Sequence, residues 1–259
     1  MQIQNNNPYE QFEVNSELVT LSSRGYYYPE IEGKPLTEVE VFDLVTQDEN
    51  ILLSPKLIES GELINVLLKK KVKTPYPIEK FTIGDRLQLL IYIRSTMDNM
   101  YNVELIDPQT KKPFPYSINL HELNEKELKD YPDKNTKLFE YKLPKSGRLV
   151  KFRLMTGEDE KIIQMREQRE QQLRNTDESF YNIFKMEQVI VSIEGIDEKD
   201  SIAKSKFIRG MNMKDGRLLN AYMDEVMPSI DLNVEVTTPS GERFQTKLPF
   251  TKEFFYPTL

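Results

Sequence analysis

The sequence predicts an α+β fold in which a helical core carries several β-hairpins at its edges. Apolar residues recur at helical spacing, behind capping signals, between residues 46 and 97. Further helical patterns follow residue 156, and apolar and polar residues alternate around three later turn signals, as in β-hairpins. We therefore expect the helical core to come from residues 47–98 and 178–226.

The N-terminal region begins with residues 1–17, which are polar and rich in Asn and predict a flexible arm. Residues 18–31 have a strand-like pattern with a turn at 23–25, where a glycine relieves the backbone. Tyr27 would lie on the outer side of this edge strand, where Tyr is an efficient contact residue for a partner. Ordinary packing of the tyrosines explains the pattern equally well. The positions expected to face inward are Leu18, Thr20, Tyr26 and Tyr28.

Residues 18–100 are predicted to form one unit, in which strands are followed by helices. A short strand is expected at residues 38–45. Thr46 has the spacing of an N-cap, and Ser54 before Pro55 is typical of a second helix start. That helical pattern ends in three lysines, which complement the negative end of the helix dipole.

Thr82 is predicted to cap the most apolar helix of the sequence. Apolar residues form a wide belt around this helix, which is typical of a helix buried on most sides. Arg94 lies inside the belt, and a buried guanidinium needs hydrogen-bonding partners. We expect Arg94 to meet a carboxylate or a partner protein.

Residues 101–155 are predicted to be rich in β-hairpins. Asp107 before Pro108 has turn chemistry between two strand-like runs. A second pair of alternating runs flanks residues 144–147, which contain Pro and Gly.

Residues 156–229 are predicted to be helical. Thr156 caps a helix that is almost entirely polar, and such a helix projects into solvent or lies against a charged partner. A second helix is expected across residues 179–195. A third is expected to resume after Asp215 and to end before Pro228.

Residues 230–259 are predicted to form a hairpin, with its turn at 239–241, followed by an aromatic tail. Apolar rings are unfavourable in water, so we expect the tail to dock on another surface. The tail residues proposed to contact a partner are Phe254, Phe255, Tyr256 and Pro257.

The composition excludes several classes of function. The chain has 259 residues, a formal net charge of −7 and no Cys, so it has no disulfide and no thiolate metal site. Net negative charge argues against a sequence-independent nucleic-acid binder. There is no signal-peptide pattern and no run of about 20 apolar residues, so we expect a soluble protein without a membrane span.

No catalytic constellation stands out. His121 is the single histidine and lies among charged neighbours, where a solvated surface residue is the usual interpretation. Glycine-rich phosphate loops and EF-hand spacing are absent. Acidic clusters at 158–160 and 197–200 leave open a carboxylate-based metal-dependent hydrolase, although such clusters are usually solvated. We predict a non-enzymatic protein without cofactor, metal or catalytic residues.

One basic stretch could bind an acidic partner surface. Residues 134–153 interleave seven Lys or Arg with aromatic residues. A solvated hairpin face is the simpler interpretation.

The order of several segments is itself informative. The chain carries, in this sequence, LSSRGYYYP, TQDENILLSPKLIESGELINVLLKK, FTIGDRLQLLIYIR, LPKSGRLVKFRLMTGEDE, IEG and a closing hairpin with LPFTKEFFYP. This succession resembles the baseplate hub assembly family of T-even-like contractile-tailed bacteriophages over nearly the whole chain. In relatives, two hairpin turns often carry Cys-x-x-Cys pairs, as in a zinc ribbon. Here those turns are IDPQT and TTPSG, so they resemble cysteine-less zinc ribbons closed by ordinary turn residues.

The resemblance implies a structural or assembly role at the central hub of a tail baseplate, through contacts with other tail proteins. It implies the host cytoplasm during assembly, and it leaves open whether the protein stays in the virion or acts as a transient chaperone. The partner-contact residues predicted from the sequence, besides the tail, are Arg24, Tyr27 and Arg94. An acidic adaptor unrelated to phages is a further alternative.

Overall fold

The structure, a computed structural model, describes residues 14–126, 128, 136–248 and 254–255. These residues form eight α-helices and ten β-strands. The strands pair antiparallel in two three-stranded and two two-stranded sheets. The predicted α+β class is therefore confirmed.

The first sheet contains β1 (Ser16–Thr20), β2 (Glu38–Phe42) and β3 (Val72–Lys73), in that order. A flexible arm was predicted for residues 1–17. Residues 1–13 lie outside the described residues, and β1 begins within the rest of the predicted arm. Leu18 is 67% exposed and Thr20 is exposed too, whereas Val19 is buried. The predicted inward positions in β1 are therefore wrong by one residue, and a one-residue shift exchanges the two faces of a strand.

A series of turns, not a strand, spans residues 22–27. Gly25 has a φ of +73°, and a Cβ there would lie 2.3 Å from the Leu36 backbone oxygen. The predicted turn at 23–25 is confirmed, but the edge strand predicted for the three tyrosines is wrong. Tyr28 is buried and Tyr26 is half-buried.

Four helices follow: α1 (Glu49–Leu52), α2 (Pro55–Glu59), α3 (Leu63–Lys71) and α4 (Ile83–Ser95). Three-ten helices precede α1 at Thr46–Asp48 and α4 at Ile78–Lys80. The predicted caps of α2 and α4 are confirmed, because the hydroxyl of each accepts a backbone N–H three residues on.

Thr46 is not the N-cap of its helix. The cap position is Val45, whose backbone N–H donates to Asp48 Oδ2 at 2.9 Å. The bond spans three residues, as in a capping box, but is displaced by one position from the predicted register.

A long hairpin pairs β4 (Met100–Ile106) with β5 (Pro113–Asn119), as predicted. Asp107 Oδ1 accepts the backbone N–H groups of Gln109 and Thr110 and so closes the turn.

The second three-stranded sheet contains β6 (Phe139–Lys142), β7 (Leu149–Phe152) and β8 (Ile190–Ile193). The β6–β7 hairpin was predicted, but β8 was not. The helix expected across residues 179–195 ends at Val189, where a β-branched run enters the sheet beside β7.

Helices α5 (Gly157–Arg174), α6 (Tyr181–Val189), α7 (Ser201–Arg209) and α8 (Met213–Glu225) pack around this sheet. The Thr156 cap of α5 is confirmed. Helix α8 begins earlier than Asp215, because the Asn212 side chain accepts the N–H of Lys214.

The last hairpin pairs β9 (Asn233–Thr237) with β10 (Arg243–Lys247), as predicted. It packs against the β4–β5 hairpin through the buried side chains of Leu105, Phe114 and Val236.

The interior consists of two main clusters of buried residues. The first joins the N-terminal sheet, α3, α4 and the β4–β5 hairpin with Phe254 and Phe255. The second joins the β6–β7–β8 sheet with α5 to α8. Residues 47–98 and 178–226, predicted as one helical core, therefore lie in different clusters.

Candidate protein interface

Asp85, in the first turn of α4, holds the 22–28 turn in place. Its Oδ1 accepts the N–H of Ser23 at 2.9 Å, and its Oδ2 accepts the hydroxyl of Tyr28 at 2.5 Å. The Tyr28 oxygen in turn accepts the N–H of Thr82 at 3.1 Å. One helical turn on, Gln88 Oε1 accepts the N–H of Ser22 at 2.6 Å. The turn is thus fixed to the helix by four long-range hydrogen bonds.

Both ionisable groups of this network are buried. Burial raises the pKa of Asp85, although hydrogen bonds from Ser23 and Tyr28 oppose the rise. Burial also raises the pKa of Tyr28 well above its ordinary value, and the nearby Asp85 carboxyl raises it further. Such a satisfied network is a rigid support, and it makes the position of the turn's outer side chains well defined.

Arg24 lies on the outer side of this turn. Its side chain is exposed and pairs with Glu125 at 2.9 Å. Arg24 is therefore available at the surface, as a contact residue must be.

Tyr27 is half-buried, not exposed. Its ring lies 6.1 Å from that of Phe139 and contacts the second cluster. Tyr27 therefore lies at the junction of the two clusters, where part of its ring remains accessible.

Arg94 is fully buried. Its Nε donates to the Phe254 carbonyl and its Nη1 to the Asp98 carbonyl, both at 2.6 Å. Burial lowers the pKa of Arg94, and the charge of Asp98 opposes that effect. Arg94 meets neither the carboxylate nor the partner protein that the sequence analysis expected, since two backbone oxygens of the same chain accept from Nε and Nη1, while Nη2 is buried without a hydrogen bond among the described residues.

The tail docks on this chain. Phe254 is fully buried with its ring 5.0 Å from Tyr101, and Phe255 is only 8% exposed. These two residues belong to the first cluster and are not exposed contact residues, which corrects the prediction. Tyr256 and Pro257 lie outside the described residues.

A cleft of about 350 Å³ opens where the two clusters meet. Thr82 and Thr156, which both line the cleft, form an antiparallel bridge between the two parts of the chain. The cleft lining includes three tyrosines and several cations: Tyr27, Tyr28, Tyr76, Lys80, Lys137 and Arg153. Tyr and Arg are among the residue types that protein interfaces favour, and the carboxylates of Glu158 and Asp159 also line the cleft.

Asp159 and Asp200, one from each acidic cluster, have local structural roles. Asp159 accepts both Nη groups of Arg153, at 2.5 and 2.7 Å, and the amide of Gln188 at 2.9 Å. Burial opposes ionisation of Asp159, but these hydrogen bonds outweigh it and hold the pKa of Asp159 below its ordinary value. Asp200 caps α7 by accepting the N–H of Ala203.

Within the described residues, no group of three or more His, Asp or Glu is placed to hold a metal ion. No helix in that part of the chain is long and apolar enough to cross a membrane.

The sequence did not reveal the long-range partners of Asp85. Asp85 follows the predicted Thr82 cap by three residues, and nothing in its local pattern marks a bond to residues 23 and 28. The one available signal is an acidic residue in the first turn of the most apolar helix, where a buried carboxylate needs hydrogen-bond donors.

Comparison with protein-family models, with curated proteins and with solved structures found no match.

Proposed function

We propose that this protein is a non-enzymatic component or assembly factor of the central baseplate hub of a contractile phage tail. It would act through contacts with other tail proteins. The observation that carries the proposal is the order of the sequence segments that resemble the hub assembly family.

The contacts among these segments support treating them as one unit. The LSSRGYYYP segment binds Asp85 and Gln88 in the FTIGDRLQLLIYIR segment. Gly157, in the TGEDE segment, packs against Arg86 of helix α4. The closing LPFTKEFFYP segment supplies the carbonyl that Arg94 binds. Helix α4 is therefore a common support, and these three of the other five segments that carry the resemblance contact it.

Two surface features would serve a hub role. Arg24 projects from a turn that the Asp85 network fixes. Helix α5 has only three buried residues over eighteen positions, so part of its polar surface is exposed and can meet a charged neighbour.

Co-expression tests the proposal. The chain, expressed with the hub proteins of the genome that encodes it, is expected to co-purify with at least one of them. Arg24→Glu is expected to weaken that complex, whereas Lys56→Glu, an exposed charge reversal on α2, is expected to leave it intact. Absence of any complex, together with normal tails from a phage that lacks the reading frame, would refute the hub role.

Virions of the wild-type phage, together with tails of the deletion phage, distinguish a retained component from a transient chaperone. Purified virions that contain the protein in stoichiometric amount indicate a retained component. Defective tails from the deletion phage, combined with virions that lack the protein, indicate a chaperone. The carboxylate-based hydrolase is not proposed, because Asp159 and Asp200 are engaged in an ion pair and a helix cap, and the described residues place no three acidic or histidine side chains together to hold a metal ion.

A further inference from the structure

The β6–β7 turn and the adjoining helices α7 and α8 form a strongly basic surface. Residues 141–149 and 203–218 contain eight Lys or Arg and a single acidic residue, Asp215, which is fully buried. These two stretches therefore carry a net charge of +7, in a chain whose net charge is −7, and the remainder carries −14. We call these residues the basic face.

The two stretches are joined in space by direct contacts. Asp215 accepts the backbone N–H groups of Lys145 and Ser146, at 2.7 and 2.9 Å, which fixes the hairpin turn on the first turn of α8. The Arg148 guanidinium lies 5.2 Å from the Phe207 ring centre, which fixes the start of β7 against α7. The basic face is therefore one continuous surface.

Most cations of the basic face have no internal partner. Five exposed cations form no ion pair within the described part of the chain: Lys142, Lys145, Lys206, Lys214 and Arg217. By contrast, Arg209 pairs with Glu187 at 2.9 Å, and Lys204 donates to the Ile190 carbonyl at 3.0 Å. Unpaired like charges held together repel one another, so an acidic ligand would relieve a standing repulsion.

Apolar side chains lie among these cations. Met213 is 76% exposed and Leu218 is 39% exposed, both on α8 beside Lys214 and Arg217. Protein contact surfaces combine an apolar centre with a charged rim. Nucleic-acid phosphates offer no apolar group to Met213, and the −14 carried by the rest of the chain would repel an extended polyanion.

We propose that the basic face docks an acidic segment of a partner protein, one in which Glu or Asp side chains alternate with apolar residues. The partner's carboxylates would pair with the five exposed cations, and its apolar residues would cover Met213. The inference depends on the charge distribution and goes beyond the proposed hub role, because it holds for an acidic partner of any origin.

Binding of a defined probe tests the inference. The probe is a fluorescent synthetic peptide in which Glu and Leu residues alternate. The control peptide has Gln at every Glu position. The full chain is expected to bind the Glu peptide saturably and the Gln peptide at least about tenfold more weakly, with affinity falling as salt rises. The triple variant Lys145→Glu/Lys214→Glu/Arg217→Glu is expected to lose at least about tenfold in affinity for the Glu peptide.

A matched control carries the same change in net charge elsewhere. Lys34→Glu/Lys56→Glu/Lys112→Glu alters three exposed cations outside the basic face and is expected to keep its affinity within about twofold. Met213→Ser leaves every charge in place and is expected to weaken binding of the Glu peptide, which keeps the test decisive if the triple variant does not fold.

Three results would overturn the inference. The first is no saturable binding of the Glu peptide, or equal losses in the triple variant and its control. The second is tighter binding of a DNA duplex than of the peptide, which would assign the basic face to nucleic acid. The third is self-association in sedimentation that the triple variant abolishes, which would assign it to the acidic surface of a second copy.

Discussion

Replacing Tyr28 by Phe tests the hydrogen-bond network that positions the 22–28 turn. The substitution removes one oxygen and leaves the ring, which stacks 4.9 Å from Phe81. Two buried groups then lose a partner: the Asp85 carboxylate loses a donor at 2.5 Å, and the Thr82 N–H loses an acceptor at 3.1 Å. No cavity large enough for a water molecule is expected from the loss of a single oxygen.

The magnitude follows from the charge of the acceptor. A hydrogen bond to a charged group contributes about 1.5–3 kcal/mol, and an unsatisfied buried N–H costs about 1 kcal/mol or more. We expect Tyr28→Phe to lower the free energy of unfolding by about 3 kcal/mol at neutral pH. Tyr76→Phe is the matched control, since its ring packs 5.3 Å from that of Tyr28 but its hydroxyl belongs to no hydrogen bond of this network.

The loss should depend on pH with a definite sign. Burial already raises the pKa of Asp85 in the folded state, so the neutral carboxyl favours folding below the ordinary Asp value, and this contribution is lost as pH rises through the folded pKa. Loss of the Tyr28 donor raises that folded pKa further. The difference between Tyr28→Phe and wild type should therefore be largest above the raised pKa and shrink as pH falls below it.

Urea unfolding followed by circular dichroism, over a series of pH values, measures both quantities. A loss below about 1 kcal/mol at neutral pH, or a loss that does not change with pH, would refute the assigned role of the network.

Three further perturbations follow from the same structure. Phe255→Ala should lower the free energy of unfolding by about 3–5 kcal/mol, because the ring is buried; urea unfolding near the wild-type midpoint would show that the tail is not part of the core. Gly25→Ala should cost about 3 kcal/mol or more in urea unfolding, since its Cβ would lie 2.3 Å from a backbone oxygen, whereas Gly33→Ala, at a similar φ but in open space, should cost only about 1–2 kcal/mol. Asp159→Asn should cost about 2–3 kcal/mol at neutral pH by breaking the bidentate pair with Arg153. Because the folded pKa of Asp159 is lowered, the wild type should lose this stability as pH falls through that value. If the free energy of unfolding of the variant falls with acid as much as that of the wild type, the assignment is contradicted.

Local features of the fold were predictable from the sequence. The caps at Ser54, Thr82 and Thr156 each close a bond within three residues, so a short pattern contains all the information. The three hairpins were equally predictable, because the alternating apolar and polar residues and the turn residues of each hairpin occur in one continuous stretch.

Features set by distant contacts were not predictable in this way. Leu18 and Val19 are both apolar, so the pattern alone does not decide which of them faces inward; pairing with β2 does. Likewise, residues 189–193 form a short apolar run that is compatible with helix or strand until β7 is present beside it.

The candidate contact residues divide along the same line. Arg24 follows from its turn and is exposed as predicted. Arg94 and Phe254 lie 160 positions apart in the sequence, and the bond between them leaves no local signature, so both were assigned to a partner's surface.

The pairing of Arg94 with Phe254 bears on how a nascent chain folds. The buried members of the second cluster all come from the continuous stretch 139–227, which can pack soon after it leaves the ribosome. The first cluster begins earlier, yet it lacks its last rings and the acceptor for a buried guanidinium until residue 254 has been translated. We therefore expect residues 139–227 to complete their packing first. Apolar surface of the first cluster should stay accessible to chaperones until residue 254 has been translated.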